Sequence, residues 1–295
     1  MIYVLGFKNS HIYDETTSYR IALHANFEFR NSLSRLENYS KEEDVLIRYG
    51  NHSYASYDKY FSEVINKAVS IRNNCNKLET HLKLLKAGLR VPKVFTSKEE
   101  IESSNLPVFR RSIYHSRGTD IRIINSLDSE LQGSYFSEFI PSNEEYRFHI
   151  MFGECVRISK KIPKKKIEQY SSNIRSSRTG WTLTDRFEHN FKVENEGIEL
   201  CIKALKILDL DFGACDVVIH NETQEPYLLE VNTAPRLGYY GREVYVKEFL
   251  EHLNLPTEGI KLGKVKDYEH YDILKMKYRK AISRNRNRED EEEEY

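Results

Sequence analysis

Apolar and polar positions in the first 95 residues predict a small α/β lobe followed by a helix. Residues 1–73 alternate the strand-like runs "MIYVL" and "DVLIRYG" with the helix-like run "YDKYFSEVINKAVSI", which is the pattern of an α/β lobe. The next run, "NKLETHLKLLKAGLRVPKVF", predicts a helix that starts at a capping box and ends before a glycine and a proline. The residues behind this prediction are Asn76 and Glu79 for the box, Leu78, Leu82 and Leu85 for an apolar stripe, and Gly88 and Pro92 for the end.

The pattern changes to short strands between Leu106 and Ile162. Five runs, "LPVFRR", "DIRII", "SYFSEFI", "EYRFHIMF" and "CVRISKKI", are separated by glycine turns and predict a mostly antiparallel sheet. A basic, serine-rich stretch follows, then a helical run near residues 198–208 and the hairpin "ACDVVIHNETQEPYLLEV". The charged ending "KYRKAISRNRNREDEEEEY" predicts a disordered tail. We therefore expect a lobe at 1–73, a main domain at 74–255 and a C-terminal extension at 256–295.

Composition narrows the class of protein. The 295 residues are enough for two domains. Lys plus Arg and Asp plus Glu number 45 each, so no overall charge attracts nucleic acid or an anionic membrane. The four cysteines are far apart, which indicates reduced thiols in a cytosol rather than disulfides or a zinc site. Because the sequence contains neither a leader pattern nor a run of 18 apolar residues, we expect a soluble cytoplasmic protein.

Two carboxylates and an amide in the hairpin are candidate metal ligands. Glu230 and Asn232 share one face of the strand in "YLLEVNTAP", because alternate residues of a strand point to the same side. Asp216 and Glu230 each lie seven residues from Thr223 at the centre of the turn, so the two acids are predicted to face each other. Such a pair needs a cation, and these hard oxygen ligands suit Mg²⁺. The alternatives are a register slip of one residue or acids on a solvated rim.

Arg147 is the first candidate for an anion-binding side chain. It shares a face of "EYRFHIMF" with Glu145. If Gly153–Glu154 form a two-residue turn, Arg147 lies opposite Lys160. Two facing cations are favourable only with an anion between them, such as an oligophosphate or an acyl phosphate. A longer turn would bring in Lys161 instead, and the alternative for all of them is an ordinary surface strand.

Two other polar features have simpler interpretations. His149 is expected to pack or to form a hydrogen bond rather than bind a metal, since no second histidine stands at ligand spacing. The basic segment "KKIPKKK" is expected to be a solvated loop, with substrate steering as the second interpretation. It lacks the interleaved aromatic residues expected of a nucleic-acid patch.

Together these motifs resemble the ATP-grasp superfamily of carboxylate-amine ligases, particularly the branch of ribosomal-protein glutamate ligases and bacteriophage ATP-grasp proteins. The resemblance runs from about residue 76 to residue 237, and its most specific part is "DFGACDVVIH" with "YLLEVNTAP". It implies an α+β fold, the ATP-grasp fold, in which two subdomains clasp ATP after a small N-terminal α/β lobe. It also implies ATP and Mg²⁺ as cofactors, with Mn²⁺ as a substitute.

The resemblance assigns a role to each matching residue. The implied metal ligands are Asp216, Glu230 and Asn232. The implied adenine contacts lie in "SEFI", at the backbone of Glu138, Phe139 and Ile140, and the implied ribose ligand is Glu145. Lys77 is the implied nucleotide-contacting lysine, and Arg111, with Arg110 as its rival, is the implied phosphate-binding arginine. The implied catalytic cations are Arg147, Lys160 and Arg175.

Three features depart from the family pattern. An arginine replaces the lysine that usually follows "LPV", although arginine still binds phosphate through two parallel hydrogen bonds. The loop "YHSRGTD" has a single glycine where the phosphate-covering loop of the family is often richer. Arg236 in "APRL" stands where many relatives have glycine, which indicates an adaptation to the acceptor.

The implied activity is the joining of a carboxylate to an amine through an acyl phosphate, with an amino acid, peptide or protein as substrate. Two other functions remain open, a catalytically degenerate ATP-binding module with a structural or regulatory role and a nucleic-acid-binding protein that uses the basic segments. Members of the superfamily are commonly homodimers, so the resemblance also allows a homodimer. The ending "EDEEEEY" is interpreted as a solubilising end, with mimicry of a substrate as the alternative.

Overall fold

The computed structural model describes residues 1–7, 16–34, 38–113, 121–126, 135–164 and 173–258. The strands within these ranges are β1 (Ile2–Leu5), β2 (Glu28–Arg30), β3 (Val45–Arg48), β4 (Glu63–Ile65), β5 (Val94–Phe95), β6 (Val108–Arg111), β7 (Arg122–Ile124), β8 (Tyr135–Glu138), β9 (Glu144–Met151), β10 (Glu154–Pro163), β11 (Trp181–Thr184), β12 (Phe212–Ile219) and β13 (Pro226–Asn232). The α-helices are α1 (Thr17–Ala25), α2 (Ala68–Cys75), α3 (Lys77–Lys86), α4 (Phe191–Leu208) and α5 (Tyr239–His252).

The N-terminal strands form the α/β lobe that the sequence predicts. Four parallel strands pair in the order β2-β1-β3-β4. The helix expected over residues 57–71 is wrong, because this run contains a 3₁₀ helix at Ala55–Tyr60, then β4, then the start of α2. Residues Glu63–Ile65 pair with the open edge of β3, so pairing with the sheet overrides local helix propensity.

Helix α3 begins and ends where the sequence predicts. The Asn76 side chain accepts a hydrogen bond of 3.2 Å from the Glu79 backbone N–H, and Gly88 follows the helix with φ +77°. The buried face differs from the predicted stripe of Leu78, Leu82 and Leu85, since the buried residues are Thr80, His81 and Leu84. That face lines a small cavity against residues 228–231 of β13, so the edge strand determines which side of the helix is covered.

A five-stranded antiparallel sheet occupies the centre of the molecule, in the order β11-β10-β9-β12-β13. The antiparallel pairing and the hairpin expected from the sequence are confirmed, but the five runs between Leu106 and Ile162 divide between this sheet, with β9 and β10, and a second sheet, with β6, β7 and β8. Helix α4 covers one face, where Phe148, Cys215 and Val217 share a core with Cys201. Gly197 allows this close approach, because a Cβ there would lie 2.7 Å from Cζ of Phe148.

Two other units accompany the central sheet. An antiparallel sheet in the order β5-β8-β6-β7, called the outer sheet below, has a core of its own around Phe95, Val108 and Phe136. Helix α5, the N-terminal lobe and one end of the central sheet share a second core, which includes Tyr49, Met151, Phe212, Tyr245 and Phe249. Among the described residues, none of the helices has the length and apolar character needed to cross a membrane.

Candidate active site

A row of polar side chains crosses the central sheet on the face opposite α4. Ser159 on β10 pairs with Arg147 on β9, Arg147 pairs with Asp216 on β12, and Asp216 pairs with Glu230 on β13. Directly paired residues of neighbouring strands point to the same side of a sheet. The four side chains therefore lie side by side, and the predicted pairing of Asp216 with Glu230 is confirmed.

A β-bulge in β13 sets this pairing. On the turn side of Asp216, Val217 pairs with Leu228, so Leu229 is the extra residue between the two pairs. Leu228 and Val231 are both buried in the core beside α4 although they stand three residues apart. The bulge thus shifts the alternation by one residue and keeps Glu230 on the polar face.

Asp216 is bound by two cations. Nε of Arg147 donates to Oδ1 at 2.6 Å, and Nη2 donates to Oδ2 at 2.8 Å. Nζ of Lys161 lies 3.4 Å from Oδ2. Only 5 % of the Asp216 side chain is exposed. Burial opposes ionisation of this carboxyl, but Arg147 and Lys161 outweigh it and hold the Asp216 pKa below its usual range.

The predicted position of Lys160 opposite Arg147 is wrong. The turn occupies Phe152 and Gly153, both with positive φ, and an irregularity between Cys155 and Arg157 shifts the register again. Lys160 consequently pairs with Tyr146. Its amine bonds to Glu144 and lies 5.2 Å from the centre of the Tyr146 ring, on the side of the sheet that packs against α4. The neighbouring Lys161, rather than Lys160, lies on the same face as Arg147 and Asp216.

Glu145 and Arg175 complete the charged cluster. Lys161 forms a hydrogen bond with the Glu145 carboxylate and donates to the Arg175 carbonyl at 3.0 Å. Nη1 of Arg175 lies 3.9 Å from Oε2 of Glu145, and its guanidinium lies 5.2 Å from the centre of the Trp181 ring. Burial raises the pKa of Glu145, while Lys161 opposes that rise. The structure therefore brings Glu145, Arg147 and Arg175 together, with Lys161 in place of Lys160.

Three oxygen-bearing side chains at the β12–β13 edge form the candidate metal ligands. Nδ2 of Asn232 donates to Oε1 of Glu230 at 2.9 Å, so these two side chains lie in contact beside Asp216. Two carboxylates with an amide oxygen have the chemistry that Mg²⁺ prefers. Within the described ranges, no three His, Cys, Asp or Glu side chains form such a group, so the amide is an essential member of the set.

Lys77 lies next to the candidate metal ligands. Its Nζ donates to the Val231 carbonyl at 3.2 Å, and Nδ2 of Asn74 donates to the same oxygen at 2.9 Å. Because β13 is an edge strand, its outward carbonyl needs partners from outside the sheet. The start of α3 therefore brings a cation to the backbone between Glu230 and Asn232.

The outer sheet contributes Arg111 rather than Arg110 to this region. Arg111 is buried, pairs with Tyr135, and donates from Nε to the Ser137 hydroxyl at 2.8 Å. Burial raises the pKa of Tyr135, and both Arg111 and Glu230 lie close enough to affect it. Tyr135, paired with Arg111 on the outer sheet, thus lies within electrostatic range of Glu230. Arg110 alternates to the other face of β6.

Residues 138–140 form the connection between the outer sheet and the central sheet. The Glu138 backbone N–H donates to the Lys93 carbonyl at 2.8 Å, while its carboxylate accepts from the Lys93 N–H at 3.0 Å. The Phe139 ring lies 5.4 Å from that of Phe109, and Ile140 is buried. This firmly held connection is the segment expected to contact adenine.

A second polar row lies beside the first, toward the N-terminal lobe. His149 pairs with Arg157 and with Ala214, and its Nδ1 lies 2.9 Å from the Tyr245 hydroxyl. Arg157 binds Asp185 through Nη2 at 2.9 Å. Sequence reasoning missed Asp185, although its position at the end of the "WTLTD" strand run was a signal. The expectation that His149 forms a hydrogen bond is confirmed.

Several sequence predictions fall outside the described residues. They are the "YHSRGTD" loop at 114–120, the basic residues 165–166, and the C-terminal tail from residue 259 onward.

Neither a family model nor a curated protein matches this sequence. Solved structures do match. D-alanine–D-alanine ligase from Bacillus anthracis, complexed with ATP, has a TM-score of 0.58 at 12% identity, covering 96% of this chain and 98% of that chain. Carboxyaminoimidazole ribonucleotide synthase from Aspergillus clavatus, complexed with ATP, has a TM-score of 0.62 at 14% identity, covering 88% and 78%. The ATP-grasp ligase PsnB, complexed with minimal precursor, Mg and ADP, has a TM-score of 0.56 at 12% identity, covering 82% and 91%.

Proposed function

We propose that this chain, which has the ATP-grasp fold, is an ATP-dependent ligase that joins a carboxylate to an amine. The observation that carries the proposal is the row in which Asp216 lies directly between Glu230 on one neighbouring strand and Arg147 on the other. Metal-binding oxygens and phosphate-binding cations therefore meet on one face of one sheet. The expected partners are a carboxylic acid and an amine from an amino acid, a peptide or a protein.

Asp216, Glu230 and Asn232 would hold Mg²⁺, and Mn²⁺ suits the same ligands. When bound there, the metal ion would offset charge on the β- and γ-phosphates of ATP. The ligands are supported by the direct pairing of the two acids and by the contact between Asn232 and Glu230.

The proposed nucleotide contacts are those implied by the resemblance. The backbone of residues 138–140 would meet adenine, and Glu145 would bind the ribose hydroxyls at the start of β9, which follows that connection. Lys77 and Arg111 would contact the phosphates from α3 and from the outer sheet. Their support is the contact of Lys77 with Val231 and the position of Arg111 beside Tyr135, close to Glu230.

In the proposed reaction, an oxygen of the substrate carboxylate attacks the γ-phosphorus of ATP. The bond from that phosphorus to the β–γ bridging oxygen breaks, and the products are ADP and an acyl phosphate. The amine nitrogen then attacks the acyl carbon, phosphate leaves, and the nitrogen loses a proton to give an amide. Arg147, Lys161 and Arg175 would stabilise charge on the phosphoryl oxygens, which is the main task in phosphoryl transfer.

An ADP-release assay tests the proposal. The full chain is incubated with Mg²⁺ and ATP, and amino acids and short peptides are screened in pairs. Asp216→Asn is expected to abolish the release that depends on both substrates. Glu144→Gln, on the α4 side of β9, is the matched control and should retain it. Tight ATP binding without ADP release for any pair would instead favour the degenerate ATP-binding module.

A further inference from the structure

The contact between Arg147 and Asp216 occupies the atoms that a metal ion would need. Both oxygens of Asp216 accept hydrogen bonds from Arg147, at 2.6 and 2.8 Å, and Lys161 also reaches Oδ2 at 3.4 Å. A metal ion on this carboxylate would therefore lie beside the charged guanidinium, and the repulsion between them opposes metal binding. Glu230 differs, because among the described residues its hydrogen-bond partner is the neutral amide of Asn232.

The surrounding charges make this competition strong. The described ionic groups around the contact are three cations and three anions, namely Arg147, Lys161, Arg175, Asp216, Glu145 and Glu230. The Asp216, Glu145 and Lys161 side chains are only 5%, 6% and 11% exposed. Buried charges are stable only with partners. A dication that took Asp216 would leave Arg147 and Lys161 beside it with fewer anionic partners.

We infer that Arg147 blocks the metal site until an oligophosphate anion draws it away from Asp216, so that divalent metal and nucleotide bind as a coupled pair. This inference rests on the proposed function. Phosphate oxygens supply new partners for Arg147 and Lys161, and Asp216 is then released to the metal. Because coupling is reciprocal, the metal also strengthens nucleotide binding. Arg147 thus prevents the binding of metal without nucleotide, and it binds phosphate oxygens when the nucleotide is present.

The decisive test removes the guanidinium and measures metal binding without nucleotide. Mn²⁺ is titrated into the full chain, and free Mn²⁺ is followed by electron paramagnetic resonance. In the absence of nucleotide, Arg147→Met and Arg147→Gln are expected to bind Mn²⁺ roughly 10- to 100-fold more tightly than the wild type, which is the range of typical coupling factors. Arg147→Lys keeps the charge and should stay weak. Lys160→Met, one residue from Lys161 but on the other face, is the matched control and should also stay weak.

Two results would overturn the inference. One is wild-type binding of Mn²⁺ that is as tight without nucleotide as with ADP or a non-hydrolysable ATP analogue. The other is a folded Arg147→Met or Arg147→Gln chain, verified by its thermal melt, that gains no Mn²⁺ affinity. Failure of the proposed function is distinguishable, because it appears as an absence of nucleotide binding in the wild type. The nucleotide-free comparison of the Arg147 variants does not depend on that result.

Discussion

The Tyr49 hydroxyl donates a hydrogen bond of 2.5 Å to the Pro235 carbonyl, and the two residues stand 186 positions apart in the chain. Pro235 follows the candidate metal ligand Asn232 by three residues. Gly50 reinforces the contact, since a Cβ at that position would lie 2.5 Å from the Cβ of Ala234. The N-terminal lobe therefore contacts the loop that follows the candidate metal ligands.

Tyr49→Phe is expected to destabilise the chain by about 1–3 kcal/mol. The substitution keeps the ring and removes the only donor that the structure gives to this buried carbonyl among the described residues. Urea unfolding measures the loss. Tyr57→Phe is the control, because among the described residues the structure records only ring contacts for Tyr57 side-chain atoms. Equal losses for the two variants would contradict the role given to Tyr49.

Gly50→Ala is expected to cost more stability than Gly88→Ala. Both glycines have positive φ, +74° and +77°, but nothing lies within 4 Å of a Cβ at Gly88. Each alanine carries a left-handed backbone penalty of about 1–2 kcal/mol, and only Gly50→Ala adds the collision with Ala234. Thermal unfolding of the two variants measures the difference. Equal melting temperatures for the two variants would contradict the close contact between Gly50 and Ala234.

The β12–β13 hairpin could be predicted because its turn and both of its strands lie in one short stretch of sequence. A polar turn separates two strand-like runs, and its symmetry places Asp216 opposite Glu230. The observed turn alone would place Asp216 opposite Leu229, and the bulge at Leu229, which alternation cannot show, restores the predicted pair. The same reasoning applied to Asn76 and Gly88 placed the ends of α3 correctly, since caps depend on neighbouring residues.

The choice between Lys160 and Lys161 could not be made from sequence. It depends on the start of the turn at Phe152, which alone would place Ile158 opposite Arg147, and on an irregularity near Cys155, which moves the register by one residue to Ser159. A shift of one residue moves a side chain to the other face of a sheet. The contact of Tyr49 with Pro235 was also unpredictable, because no local pattern connects residues so far apart.

Lys161→Met is expected to be far more damaging than Lys160→Met. Lys161 is buried against Glu145 and Asp216, and removing one partner of a buried ion pair costs about 3–5 kcal/mol. Lys160 bonds to the more exposed Glu144, a type of pair worth about 0–1 kcal/mol. Urea unfolding and ADP release measure both effects. If the two variants lost stability and activity equally, the assignment of Lys161 rather than Lys160 to the site would be contradicted.

His149 is expected to make the fold acid-sensitive. Burial, with Arg157 and Arg147 nearby, lowers the pKa of His149 well below its usual range, although Asp216 opposes the shift. Below about pH 6.5, His149 binds a proton in the unfolded chain but not in the folded one. The free energy of unfolding therefore decreases as the pH is lowered, by at most about 1.4 kcal/mol per pH unit. Urea unfolding at pH 7 and pH 5.5 should show a smaller loss for His149→Leu than for the wild type. The exposed His24→Gln should behave as the wild type, and an unchanged loss in His149→Leu would contradict the assignment.

Thermal unfolding of the full chain against an ATP titration, with and without Mg²⁺, is the primary test of the proposed ATP and Mg²⁺ sites. A ligand present at about 100 times its dissociation constant stabilises the fold by about 2.7 kcal/mol. The proposed function predicts a clear rise in melting temperature with ATP and Mg²⁺ together, a smaller rise with ATP alone, and loss of the Mg²⁺ effect in Glu230→Gln. No rise at millimolar ATP with Mg²⁺, or an undiminished rise in Glu230→Gln, would contradict it.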